Sequence, residues 1–487
     1  MAQAMSPRST CLPAAVAPCR GIQLSMHPSA QSFEILPLPQ PLQATLQQLG
    51  YLAMTPIQAA SLPVALTGRD LIAQARTGSG KTVAFTLPLL AKLNPRRVAV
   101  QALVLCPTRE LAGQVTQEIR RLARAEDNVR TLTLCGGSPI RHQLASLVHG
   151  AHIVVGTPGR ILDHLGRGTL VLDALTTLVL DEADRMLDMG FAEDIAQVVE
   201  RCPKARQTLL FSATYPEGVA KLAARFLRDP HEVKLAERHA AGQIRQRFYE
   251  VTERERLHAT GLLLQHFRPV STLAFCNTKQ QCRDLMAVLQ TQGIMALELH
   301  GDLEQRERDQ VLVQFANGSC SVLVATDVAA RGLDIAQLEA VINVDISPDP
   351  TVHTHRVGRT GRANEDGWAF SLASTKEMGA VGRIDEMQGT PSAWHPLSEL
   401  TVPAGAEPLR PPMVTLLILG GRKEKIRPGD VLGALTKDLG LPGAQIGKIV
   451  VNDFVTFVAV ARGVADEALR GLNAGKVKGR SVKARRL

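Results

Sequence analysis

Residues 70–82 read DLIAQARTGSGKT. An apolar run of strand length leads into Gly78, Ser79 and Gly80 and then directly into Lys81 and Thr82. Glycines at this spacing let backbone N–H groups close on phosphate oxygens, and the N-terminus of a following helix adds a favourable dipole. Lys81 is long enough to reach the outer phosphates, and the Thr82 hydroxyl is a ligand for Mg2+. Ala75 stands where such loops usually carry their first glycine. A glycine-rich turn is common on any surface. Here a strand precedes it and an amphipathic helix follows, so the stretch reads as a P-loop in an α/β domain.

The same alternation continues outward. The runs DLIAQA, ALVLCP, HIVVGTP, TLVLDEAD and TLLFSAT occupy the first half, and TLAFCNT, ALELHG, SVLVATD and AVINVD the second. They are continuously apolar, which suits strands buried on both faces in parallel sheets covered by helices. In TTLVLDEAD, Asp181 emerges at the strand tip where a P-loop needs a carboxylate for its metal, and Glu182 is placed to polarise an attacking water. HTHRVGRTGRA (353–363) gathers Arg356, Arg359 and Arg362. Such spacing often marks a solvated helix face. With a P-loop in the other half, Arg359 and Arg362 read instead as fingers reaching a γ-phosphate across a cleft, so that hydrolysis depends on domain closure.

At 487 residues the chain has room for several domains, and with 45% hydrophobic and 21% charged residues most of it should fold. Residues 1–32, rich in Pro, Ser and Ala, read as a disordered extension, with Met26 an alternative start. The mixed-charge stretch 228–246 divides a first α/β domain, 33–241, from a second, 242–390. Six prolines make 391–412 a linker, and 413–487 a small separate domain. That last domain holds fourteen Lys or Arg against six acids, a net +8 out of the chain's +9. Such asymmetry points to a polyanion, either nucleic acid or an acidic membrane surface. The eight cysteines show no C-x-x-C spacing, which argues against a zinc site and a disulfide framework and for reduced thiols in the cytoplasm. No apolar stretch is long enough to span a membrane.

Together these residues resemble the DEAD-box RNA helicases, from Phe33 to about Ala373. DEAD (181–184) is that family's signature. ARTGSGKT, SAT (212–214), HRVGRTGR (355–362), GYLAMTPIQ (50–58), PTRELA (107–112), GG (136–137), TPGR (157–160), LHGDLEQRER (299–308) and ATDVAARGLDI (325–335) match its other motifs in order. The resemblance implies two tandem RecA-like domains that bind ATP. Phe33, Gln58, Thr77, Gly78, Ser79, Gly80, Lys81 and Thr82 would hold the nucleotide from one side, and Gly332 and Asp334 from the other. Gln58 would read the adenine edge, for which an amide has both donor and acceptor. Lys81, Asp181, Glu182, Arg359 and Arg362 would be catalytic, with Thr82 and Asp181 on Mg2+, partly through water. Gln207 and Ser212, Ala213 and Thr214 would couple hydrolysis to RNA. RNA would be met in the first domain by Pro107, Thr108, Arg109, Gly136, Gly137, Thr157, Pro158, Gly159 and Arg160. In the second it would be met by Asn277, Thr278, His300, Gly301, Asp302, Arg308, Thr326 and Asp327. Residue types of this kind suit sugar and phosphate rather than base edges.

The last domain predicts β, α, β, β, α, β in an RNA-recognition-motif-like fold. GGRKEKIRPGDVLGALT and GKVKGR resemble the RNA-binding domain of the DbpA subgroup. That subgroup implies recognition of a hairpin in 23S-type ribosomal RNA and a role in large-subunit assembly. Phe454 and Phe457, three apart, cannot share one face of a regular strand, so both are expected in the core. Binding then falls to Arg422, Lys423, Lys425, Lys476, Lys478, Arg480, Lys483 and Arg485. In SVKARRL, Val482 and Ala484 alternate with Lys483 and Arg485, which predicts a closing strand rather than a loose tail. The expected protein is thus a monomeric cytoplasmic RNA helicase using ATP and Mg2+, with no membrane partner. A helicase without ribosomal specificity and an ATP-gated RNA clamp or assembly scaffold stand as alternatives.

Overall fold

The computed structural model describes residues 31–75, 78–137, 139–235, 244–330, 338–361, 366–402, 405 and 407–487. The extension up to Ala30, including Met26, lies outside the described residues, as do Thr77, Gly332, Asp334, Arg362 and the domain boundary expected near Gly242.

The first sheet contains β1 (Leu71–Gln74), β2 (Ala102–Leu105), β3 (Thr131–Leu134), β4 (Ile153–Gly156), β5 (Thr177–Leu180), β6 (Gln207–Ser212) and β7 (His231–Lys234). All pairs are parallel, in the order β3-β4-β2-β5-β6-β1-β7. The second contains β8 (Ile244–Glu250), β9 (Thr272–Cys276), β10 (Ala296–Leu299), β11 (Val322–Thr326), β12 (Ala340–Asn343), β13 (Gly367–Ala373) and β14 (Trp394–His395). Its order, β10-β11-β9-β12-β13-β8-β14, repeats the first position for position and is again parallel throughout. These are the two RecA-like domains. Their central strands β2, β4, β5 and β12 are buried along their whole length, as continuous apolar runs require.

The segment 391–412 differs from the expected linker. Trp394–His395 adds a strand to the second sheet, and Leu400 and Leu409 enter that domain's core. Prolines forbid a helix or a central strand, but not an edge strand or an extended strap anchored by apolar residues.

The C-terminal module contains β15 (Met413–Leu419), β16 (Ile446–Val451), β17 (Val455–Ala461), β18 (Lys476–Val477), β19 (Arg480–Ser481) and β20 (Lys483–Arg486). Between β15 and β16 a helix at Pro428–Gly433 continues as a π turn, Ala434–Asp438. The helix Ala465–Ala474 follows β17. The main sheet is antiparallel in the order β16-β17-β15-β20. Val414, Leu416, Ile418, Val458 and Val460 face the module's own core with Leu435, Ala468 and Leu472.

The opposite face is also buried. Thr415, Leu417, Phe457 and Ala459 are at most 3% exposed, and the module rests there on the second helicase domain. Thr415 Oγ1 lies 2.6 Å from Ser319 Oγ and 3.2 Å from Asn317 Nδ2, and Met413 N donates to Gly318 O at 3.3 Å. The closing residues are ordered as the alternation predicts. Val477 and Val482 join the core, Lys483 and Arg485 are exposed, and KVKGRS folds into the β18–β19 ribbon. The two phenylalanines part company: Phe457 is buried on the docked face, while Phe454, in the turn before β17, is 67% exposed.

Candidate functional site

The P-loop runs from the end of β1 into the helix Lys81–Lys92. Gly80 has φ +93°, and a Cβ there would stand 2.5 Å from Gln58 Nε2, so a side chain is barred twice over. Lys81 is only 6% exposed, yet its Nζ has no hydrogen-bond partner among the described residues. The same is true of Asp181 Oδ1 at the tip of β5. Burial, eased by Lys81 and aggravated by Glu182, pushes Asp181 up to about 7. Buried charges are normally paired, so two orphans in one site mark where a phosphate and a cation fit.

Glu182 has φ +53° and ψ +53°, a conformation unfavourable for a residue with a Cβ. Its carboxylate accepts from Arg185 Nη1 at 2.7 Å. Asp184 Oδ2 accepts from Ala213 N, Thr214 N and Thr214 Oγ1 at 3.1, 2.7 and 2.8 Å, and Asp184 N donates to Ser212 Oγ at 3.2 Å. Burial alone would raise Asp184, but the Thr214 bonds carry it below the usual carboxylate range. The DEAD turn and Ser212–Thr214 are therefore one hydrogen-bonded body. Gln207 is not part of it. At the opposite end of β6, it donates to Ala65 O and Arg69 O and accepts from Lys92.

Gln58 is 2% exposed, with Nε2 on Gly80 O at 3.1 Å and Oε1 accepting from Thr55 N at 2.9 Å. It thus braces the P-loop. Phe33 is buried edge-on against Tyr51 beside a cavity of about 290 Å3 that neither Gln58 nor the P-loop lines.

Across the cleft, Arg359 is 6% exposed and shares a small cavity with Arg356, His355 and Asp327 of its own domain and with Arg185 and Asp188 of the first. The arginine cluster thus faces the DEAD helix. Burial and Arg185 hold His355 below the usual imidazole range.

Family models match along the chain: a DEAD/DEAH box helicase domain over residues 55–222, a helicase conserved C-terminal domain over 255–364 and a DbpA RNA binding domain over 415–486. The chain is 51% identical to the ATP-dependent RNA helicase DbpA of Escherichia coli, over 94% of this chain and 99% of that one. It is 44% identical to the DEAD-box ATP-dependent RNA helicase CshA of Geobacillus kaustophilus, over 73% and 76%. Among solved structures, S. cerevisiae Dbp5 bound to RNA and ADP BeF3 superposes with a TM-score of 0.70 at 30% identity, covering 76% of this chain and 97% of that one. The chain belongs to the DEAD-box ATP-dependent RNA helicases of the DbpA type.

In this helicase the residues expected to face RNA sit at the carboxyl ends of strands, where open α/β sheets present their ligands. Pro107 and Thr108 follow β2, and the Thr108 side chain caps the helix Arg109–Leu122. Gly136 and Gly137 follow β3, with Arg109 Nη1 bonded to Gly136 O. A Cβ on Gly137 would overlap that guanidinium. Thr157 to Arg160 open the helix after β4, and Arg160 Nε is 3.7 Å from Asp163.

In the second domain Asn277 and Thr278 follow β9. Thr278 caps the next helix, while His300, Gly301 and Asp302 follow β10. Asp302 is held by Lys279 and Arg283, and Thr326 ends β11. Arg308 pairs with Glu110 at 3.3 Å, linking the two domains directly.

Arg356 proves to be the organiser of this side. Only 2% exposed, it grips Asp327 at 2.7 and 2.6 Å and Asn277 Oδ1 at 2.8 Å. Its place in the arginine repeat was visible in sequence; its inward direction was not.

Proposed function

We propose that the chain uses ATP and Mg2+ to open short RNA duplexes locally, directed by its C-terminal module to a 23S-type hairpin in precursors of the large ribosomal subunit. The working units are the segments 33–241, 242–390 and 413–487, acting as a monomer in the cytoplasm. The observation that carries the reading is the orphaned pair, Lys81 Nζ and Asp181 Oδ1, buried beside the glycine turn.

Lys81 meets the outer phosphates, and Thr82 and Asp181 fit a hard, oxygen-seeking cation. Mg2+, when bound, neutralises charge developing on the transferred phosphoryl group. Glu182 takes the proton of the attacking water once Arg185 yields its carboxylate, and Arg359, with Arg362, adds positive charge from the second domain. Phe33 and Gln58 serve the adenine. Gly332 and Asp334 complete the nucleotide site, and Ser212–Thr214 transmit its state through Asp184. RNA held along the strand ends of both domains favours the closed form, and closure at the expense of base pairing opens the duplex. Support for the ribosomal target comes from the match to a DbpA RNA binding domain and the +8 charge of the module.

ATP turnover stimulated by 23S-type RNA and by an equal mass of transfer RNA tests this. A large preference for the former is expected, together with a loss of about 10²-fold or more in Glu182→Gln. Equal stimulation overturns the ribosomal target, and turnover unchanged in Glu182→Gln overturns the base.

A further inference from the structure

RNA-recognition-motif folds stack bases on aromatic residues of the open sheet face. In this chain that face is docked on the second helicase domain through Thr415, Ser319 and Asn317, and its one aromatic residue, Phe457, is 3% exposed. Stacking must therefore occur elsewhere or not at all.

One end of the sheet remains open. Phe454, between β16 and β17, is 67% exposed, and Leu419, at the end of β15, 53%. The surface around Phe454 is built rather than incidental. Arg422 N and Lys423 N donate to Asn452 O and Asp453 O at 2.8 and 2.9 Å, fastening the basic loop to the turn that carries Phe454. A Cβ on Gly421 would lie 2.2 Å from Asn452 O, so this approach requires glycine. Lys483 stands opposite Leu419 in the β15–β20 register, and Lys478 Nζ donates to Lys425 O. Lys425 and Lys478 both hold positive φ, 61° and 55°, where an L-residue is disfavoured. Arg422, 3.4 Å from Asp453, and the exposed Lys423 and Lys483 thus share this end of the module with an exposed aromatic ring.

The same end lies toward the first domain. The Arg422 charge, together with burial, holds Arg120 below the usual arginine range. Arg120 belongs to the helix that Arg109 begins. Asp453 offsets part of this charge and a phosphate would offset more, while a flat apolar ring beside the cations suits a base with its phosphates on either side.

We propose that Phe454, flanked by Leu419 and the cations Arg422, Lys423 and Lys483, is a stacking site for an unpaired base of the structured RNA that the module holds. This rests on the reading of the module as an RNA binder. Only the base stacks; sequence choice comes from the RNA shape that delivers a free base to this end.

The test uses the full chain and a 23S-type hairpin with single-stranded flanks, carrying 2-aminopurine at successive unpaired positions. Stacking is worth about 1–3 kcal/mol per base, and at about 1.4 kcal/mol per decade Phe454→Ala should lose about tenfold in affinity. Phe454→Tyr should stay within about twofold, and quenching of one 2-aminopurine position should vanish in the alanine variant alone. Melting of both variants should match the parent, since the ring packs on little. Alanine binding within twofold of the parent, or tyrosine falling as far as alanine, overturns the site. Failure of the ribosomal reading is seen separately, as equal affinity of the parent chain for this hairpin and an unrelated one.

Discussion

Lys81 and Arg256 stand at the same station in two copies of one fold. Each is the first residue of the helix after the strand second from the sheet edge, β1 and β8. Each has a carboxylate just beyond the strand fourth from that edge, Asp181 after β5 and Asp345 after β12. In the first domain the pair is left with orphaned atoms. In the second, the terminal nitrogens of Arg256 donate to Val344 O at 2.7 Å and Leu372 O at 3.1 Å, pair with Glu377, and lie 3.4 Å from Asp345. Its Nε, 3.6 Å from Glu253, makes no hydrogen bond among the described residues. A glycine loop leaves room for a nucleotide in one copy. A guanidinium and four backbone or carboxylate partners close the other. The same architecture gives a site or a rivet according to what stands at the helix start.

The strongest way to break this contrast is to remove each cation. Arg256→Ala should destabilise the second domain by about 3–5 kcal/mol, because Asp345 and Glu377 lose their buried counter-charge. Lys81→Ala should leave melting within about 1 kcal/mol, since Asp181, already at about 7, accepts a proton instead. The same variant should lower RNA-stimulated ATP turnover by about 10²-fold or more. Denaturant titration and steady-state turnover distinguish the two, and similar stability losses for both would erase the distinction between site and rivet.

A smaller effect is expected with pH, again in the second domain. His353 is fully buried against Phe248 of β8, and burial, reinforced by Arg356, pushes its imidazole down to about 4. Its contribution is therefore intact above the unfolded value near 6.5 and lost as pH falls from there toward 4. Between pH 6.5 and 5 the loss is about 2 kcal/mol, and His353→Leu should flatten it. An equally steep acid limb in the variant would assign it to other groups.

The smallest effect concerns the docked module. Thr415→Val leaves Ser319 and Asn317 without their partner and should cost about 1 kcal/mol. Amide exchange at residues 317–319 and 413–417 should quicken together, and exchange unchanged at both would show that the hydrogen bonds do not hold the contact.

Much of this was legible in the sequence because the informative residues are local. The P-loop, DEAD, the arginine repeat and the strand at 483–486 are each read from a few neighbours. The first domain's half-exposed edge strand His231–Lys234 and its half-buried β3 lack a continuous apolar run, and both escaped the pattern. So did β8, β13 and the two-residue β14, whose place is set by partners distant in sequence. Phe457 was expected in the core and is buried, but on the sheet face opposite the module's own core, whose burial no periodicity within the module reveals. Phe454 was expected in the core as well and is exposed. Gln207 was expected to couple hydrolysis to RNA together with Ser212–Thr214, and the extended strand β6 places it at the opposite end from them.

The strap 391–412 has a consequence of its own. Its fully extended contour would be on the order of 70 Å, enough to let a tethered domain wander widely. Fixed points at β14, Leu400 and Leu409, followed by the Thr415 contact, divide that contour into short spans. A hairpin gripped by the module would then sit at a set offset from the helicase cleft. If the module grips RNA as proposed, the duplex opened would be set by its spacing from the grip, as a ruler does, in nucleotides.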